Sequence, residues 1–202
     1  MPQGRASGWL QWLDAWHEGR SWWARLPLLA YMVWVFVHHV VDPMYQPLLK
    51  GLNLGVHELG HILWMPLGQF MSIAGGTITQ CMLPVVGAAM FFRQRDLFAI
   101  GFAAAWLGVN FHDVAVYVAD ARAMELPLVS PFGGGEDIGH DWNLMLERTG
   151  LLEWDRSIGM LFHGAGHLAM ASGILLGAWT LWRMRKRNQS QNGGAIAPPW
   201  IS

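Results

Sequence analysis

The sequence predicts an all-α fold, a polytopic bundle of about four or five membrane segments with an N-terminal interfacial helix, and three observations carry that prediction. Of its 202 residues, 53% are hydrophobic and only 13% charged, at a mean hydropathy of +0.25. Charged content near 25% is usual for soluble domains. The apolar residues also fall in runs of the length a helix needs to cross a hydrocarbon core of roughly 30 Å. Finally, the 13 tryptophans gather near the ends of those runs, where amphipathic rings settle at the headgroup level. A formal net charge of −1 gives no electrostatic footprint for nucleic acid. The lone Cys81 can form no intramolecular disulfide. No cleavable signal peptide is visible, so insertion is expected to be driven by the first hydrophobic span.

From Gly8 to Arg25, Trp9, Trp12 and Trp16 recur at helical spacing, with Asp14, Glu18, Arg20 and Arg25 elsewhere on the wheel. That pattern predicts a helix lying on the bilayer surface. Pro27 suits the first turn of the next helix, whose apolar run Leu28 to Val41 ends at His38, His39 and Asp42-Pro43. The run is short for a full crossing and is expected to continue as a kinked helix through Leu49. Leu52 to Met65 follows, ending at Pro66, and Gly51, Gly55, Gly60 and Gly68 are candidates for close helix approach. A break at Gly75-Gly76 then precedes an apolar helix from Thr77 to Phe92, with Arg93 and Arg95 at the membrane boundary.

Leu97 to Val118 reads as a span whose Asn110, His112 and Asp113 are too polar to face lipid. Asp120 to Arg156 is a mostly polar connection containing Gly133-Gly134-Gly135 and Gly139-His140-Asp141-Trp142, long enough to be functional. Ile158 to Trp182 is the last span. Arg183, Arg185, Lys186 and Arg187 follow it and place the C-terminus in the cytoplasm by the positive-inside rule. The chain therefore divides into an interfacial segment (1–26), a membrane domain (27–182), and a basic, then disordered, cytoplasmic tail (183–202). Full crossing by the Leu52 to Met65 helix would put the N-terminus outside. A re-entrant helix would put it in the cytoplasm, which suits Arg5, Arg20 and Arg25 and is favoured.

The chemistry concentrates in His57-Glu58-Leu59-Gly60-His61. Residues four apart share a helix face, so His57 and His61 can reach one Zn2+ ion from consecutive turns, and Glu58 can reach its water as general base. Burying these three groups in an apolar helix costs several kcal/mol unless they are paired or coordinated. A third protein ligand must come from elsewhere. Asp113 is the first candidate, on a span at membrane depth, the competing structural role being pairing with a histidine or an arginine. His140 and Asp141 are the alternatives, although Asp141 also suits the N-cap of a helix starting at Trp142. His163 and His167, again four apart, are candidates for a second ion or a proton path, or for hydrogen-bonded helix contacts beside Gly164, Ala165 and Gly166. For His38 and His39 an interfacial placement is expected. Thr77, Thr79 and Gln80 suit either substrate hydrogen bonding or helix packing.

With His57-Glu58-Leu59-Gly60-His61 on an apolar helix and Asn110 and Asp113 on a later one, the chain resembles the site-2 protease family of intramembrane zinc metalloproteases. The resemblance implies His57, His61 and Asp113 as zinc ligands, Glu58 as the base, and a membrane-embedded protein substrate. Where the family usually has glycine after its aspartate, this chain has Val114. From about Leu52 to Trp182 it also resembles a group of uncharacterised bacterial membrane proteins with the same helix, followed by segments like Ala119-Asp120-Ala121-Arg122-Ala123 and His140-Asp141-Trp142. The expected activity is peptide-bond hydrolysis in or near the bilayer, in a bacterial inner membrane, with the Gly133 to Asp141 loop as a gate. Two rivals predict different chemistry: haem or a di-iron centre bound through His57, His61, His163 and His167, or a non-catalytic subunit keeping a structural metal.

Overall fold

The computed structural model describes residues 8, 20–126 and 139–194, with side chains through residue 190. The Trp9, Trp12 and Trp16 stripe, Gly133-Gly134-Gly135 and the tail beyond residue 194 lie outside the described residues. Among the described residues, six helices follow in order: α1 (Leu26–Val41), α2 (Lys50–Trp64), α3 (Gln69–Arg93), α4 (Leu97–Ala119), α5 (Asp141–Thr149) and α6 (Asp155–Gly194). No strand occurs among the described residues, and the fold is an all-α bundle. Among the described residues, four segments are long and apolar enough to cross a membrane: Trp23–Val41, Gln69–Arg93, Leu97–Ala119 and Leu152–Ser190. The chain is a membrane protein in architecture.

Several boundaries differ from the sequence expectation. A 3-10 turn at Trp23–Arg25 feeds α1 and brings the first segment to 19 residues. Pro43 then ends it, because the residue before a proline is driven out of the helical region, and Asp42 is extended (φ −135°, ψ 102°). The kinked continuation through Leu49 does not occur. Helix α2 has 15 residues, about 22 Å of rise, and stops at a 3-10 turn holding Pro66. Gly68, at φ +99°, turns the chain into α3, a conformation that a side chain would strain.

Helix α3 runs unbroken through Gly75-Gly76, so the glycine pair is a contact surface and not a break. Gly60 of α2 and Gly75 of α3 meet backbone to backbone, leaving no space for a methyl on either. Gly51 and Gly55 face open space and make no such approach.

The most extensive helix pair is α4 with α6. Gly101, Gly108 and Ala115 recur every seven residues on α4 and oppose Gly173, Gly166 and Gly159 on the antiparallel α6. Such small-residue stripes let helix backbones touch where apolar lipid supplies no hydrophobic drive. The opposite face of α6 carries Leu161, Leu168 and Leu175 at the same interval, exposed at 74%, 71% and 69%, as a lipid-facing stripe would be. Helix α6 has 40 residues and continues past Trp182 through the basic cluster, so 183–194 is helical.

The long connection after α4 contains α5, whose N-cap is His140: its Nδ1 accepts from the Asn143 backbone N–H (3.2 Å). Asp141 is the first helical residue, not the cap, and its carboxylate is free to act elsewhere. Asp120 secures the connection by accepting from the backbone N–H groups of Glu125 and Leu126 (both 3.0 Å). Asn143 donates to the Ala121 carbonyl (2.8 Å), and Arg122 pairs with Asp155 at the start of α6 (2.8 Å). The Asn143 bond ties α5 to the end of α4, and the Arg122 pair ties that end to α6.

Candidate metal centre

Helix periodicity puts His57 and His61 on one face of α2, and the structure turns that face toward α3 and α5. His57 lies over Gly76 of α3. A methyl there would come within 2.6 Å of His57 Nε2, so only glycine leaves the ring its place. His57 Nδ1 donates to Gln80 Oε1 (3.0 Å), and His61 Nδ1 donates to the Ser72 carbonyl (2.9 Å). Both Nε2 atoms then point at one carboxylate oxygen, Asp141 Oδ2, at 3.1 Å from His57 and 3.3 Å from His61. Anchoring Nδ1 on an oxygen while presenting Nε2 is how ligating histidines are oriented.

One ligand atom from each of His57, His61 and Asp141 lies within 4.8 Å of the others, a spacing that can hold a metal ion. The donor set, two imidazoles and a carboxylate, suits zinc with an open position for water. Electrostatics within the triad are mutually reinforcing. The hydrogen bond to Asp141 raises His61 to about 8 against the opposing effect of burial. Burial pushes the Asp141 carboxyl up, but hydrogen bonds from His57 and His61 outweigh it and hold the group below its ordinary value.

The triad opens into a cavity of about 750 Å³, whose lining also includes Glu58, Thr77, Gln80 and Tyr117. Tyr117 was not foreseen. Its hydroxyl accepts from the Asp141 backbone N–H (3.2 Å), and its ring lies against His140. Only its position at the end of a polar-interrupted span hinted at a role.

Asp113 is not brought to the histidines. Its carboxylate takes Lys50 Nζ at 2.8 Å and Asn53 Nδ2 at 3.2 Å, and Asn53 in turn accepts from Trp106 Nε1 (2.9 Å). The partner is thus a lysine, neither the histidine nor the arginine considered from sequence. His140 likewise lies apart, facing Asp120 at 3.4 Å. His163 and His167 form a separate cluster with His112, so the two histidine pairs do not share one centre. His38 is half-buried between Trp34 and Tyr45, whereas His39 is 1% exposed and packs inside the bundle. It turns inward because the adjacent position on a helix points about 100° away. No family model, curated protein or solved structure matches this chain.

Proposed function

We propose that the chain is an intramembrane zinc-dependent hydrolase that cleaves a peptide bond of a membrane-embedded substrate. One observation carries this reading: His57 and His61 are each anchored through Nδ1 while both Nε2 atoms and Asp141 Oδ2 converge at the wall of a large cavity. In this reading His57, His61 and Asp141 hold the zinc, and Asp141 takes the place that the family resemblance gives to Asp113. When bound, zinc would act as a Lewis acid, lowering the pKa of water and polarising a carbonyl.

The remaining work falls to the chain's own residues. Glu58 lines the same cavity and is the group positioned to take a proton from the attacking water and return it to the leaving nitrogen. Gln80 and the Ser72 carbonyl fix the imidazole orientations. The Thr77 hydroxyl is buried without a hydrogen-bond partner and lines the cavity, which suits a substrate backbone amide. A peptide bond reaches the site only where the substrate helix is unwound, since intact helical carbonyls are already hydrogen-bonded.

Helix α2 is too short to cross a core of about 30 Å and forms a re-entrant hairpin with α3. Four crossing segments then place both termini on one side. The basic cluster after Trp182 favours the cytoplasm of a bacterial inner membrane, and Lys186 stacks over Trp182 (4.2 Å) as at an interface.

The test is reconstitution of wild type and Glu58→Gln in proteoliposomes with a library of single-span helices, reading new termini by mass spectrometry. Chelator-sensitive cleavage by wild type alone is expected. Zinc-loaded wild type that cleaves nothing across the library would overturn the peptidase reading.

A further inference from the structure

A second histidine cluster lies where α1, α4 and α6 meet. His112, His163 and His167 pack ring against ring, with centroids 4.7 Å (His112 to His163), 4.6 Å (His112 to His167) and 4.5 Å (His163 to His167) apart. One ring nitrogen from each lies within 4.8 Å of the other two. His39 stacks on His112 at 4.4 Å, nearly parallel. His39 and His112 are buried, each 1% exposed, while His163 and His167 are half-buried, and imidazoles taken out of water need hydrogen-bond partners or a common cation. Partners are few. The Nδ1 atoms of His112 and His163 lie 3.0 Å apart in one imidazole-to-imidazole hydrogen bond, and His167 Nδ1 donates to the His163 carbonyl (3.0 Å). His112 Nε2 and both nitrogens of His39 are buried without any partner. Among the described residues, no carboxylate forms an ion pair with any of the four rings.

We propose that His112, His163 and His167 form a second metal site, selective for a transition-metal ion of the zinc and copper class. The donors are nitrogen only, which disfavours Ca2+ and Mg2+, whose ligands are oxygens. The local backbone is arranged for it. Gly166 lies between the two α6 histidines, and a methyl there would approach the His112 ring to 3.0 Å, so the glycine gives that ring its room. His167 Nδ1, tied to a carbonyl, leaves its Nε2 as the ligand atom. Three protein ligands leave a position open, and His39 and His112 line the same cavity as the first centre, so the ion has a route in. The site stands on residues that share none of the first centre's ligands.

The test is titration of the detergent-purified full chain, stripped with chelator, with Co2+ alone. Wild type is expected to bind about two Co2+ per chain, and His57→Gln/His61→Gln and His163→Gln/His167→Gln about one each. Cobalt binding by His163→Gln/His167→Gln equal to wild type would overturn the second site. A single cobalt lost only in that variant would support the second site and instead overturn the first. Should the variant fail to fold, X-ray absorption on the His57→Gln/His61→Gln chain decides. Bound Co2+ with histidine nitrogens and no carboxylate supports the proposal, and no bound Co2+ overturns it.

Discussion

Asp113 and Asp141 lie in two regions that look alike by burial, with side chains 11% and 15% exposed, yet their surroundings assign them opposite roles. Around Asp113 stand the side-chain nitrogen of Lys50 and the amide of Asn53, which together occupy both carboxylate oxygens. Around Asp141 stand two imidazoles whose other nitrogens are already committed to Gln80 and Ser72. A lysine at 2.8 Å competes with any metal for its carboxylate. An imidazole does the reverse: it gives up a proton and joins the carboxylate as a ligand. A place on a later span at membrane depth is therefore a weaker guide to a ligand than the identity of the groups already hydrogen-bonded to the carboxylate.

That contrast can be sharpened by substitution, beginning with the largest expected effect. Glu58→Gln should lower turnover by roughly 10²- to 10⁴-fold with zinc content unchanged, measured on one preparation by cleavage kinetics and elemental analysis. A rate equal to wild type would remove Glu58 from the chemistry. Gln80→Leu deletes the acceptor that orients His57, and zinc affinity should fall about 10- to 100-fold in chelator competition. No change there would mean that Gln80 does not position the ligand. Gly76→Ala forces a methyl against the His57 ring and should destabilise the α2 and α3 hairpin by about 1–3 kcal/mol, visible as a lower midpoint of thermal unfolding in detergent. Smallest is Asp113→Asn, expected to cost about 1 kcal/mol because Lys50 is partly solvated, with zinc retained. Zinc loss in that variant would join the two regions that the structure separates.

Much of this was legible in the chain, and the limits are physical. Spans at Leu97 to Val118 and Ile158 to Trp182 were readable because an apolar run of such length has no soluble use, and α4 and α6 occupy them. The pairing of His57 with His61 was readable because i and i+4 share a helix face. Asp141 was only one alternative among three, since it lies 84 residues from His57 across a connection with no periodicity of its own. The Gly75-Gly76 pair reads as a break by propensity, but tertiary contact with α2 makes the missing side chains an asset within a continuous helix. His39 was assigned to the interface by its place near the end of a run. Its burial depends on α1 packing against α4 and α6, which no local pattern encodes. The seven-residue stripe of Gly159, Gly166 and Gly173 was present in the sequence and emerged as a packing surface once its partners on α4 were known.

The most direct measurement is zinc stoichiometry in matched, detergent-purified Asp141→Ala and Asp113→Ala chains, each carrying His163→Gln/His167→Gln so that only the first centre is read. About one zinc per chain with Asp113→Ala and none with Asp141→Ala is the expected result. Zinc kept by Asp141→Ala and lost by Asp113→Ala would contradict the assignment of His57, His61 and Asp141 as the metal centre.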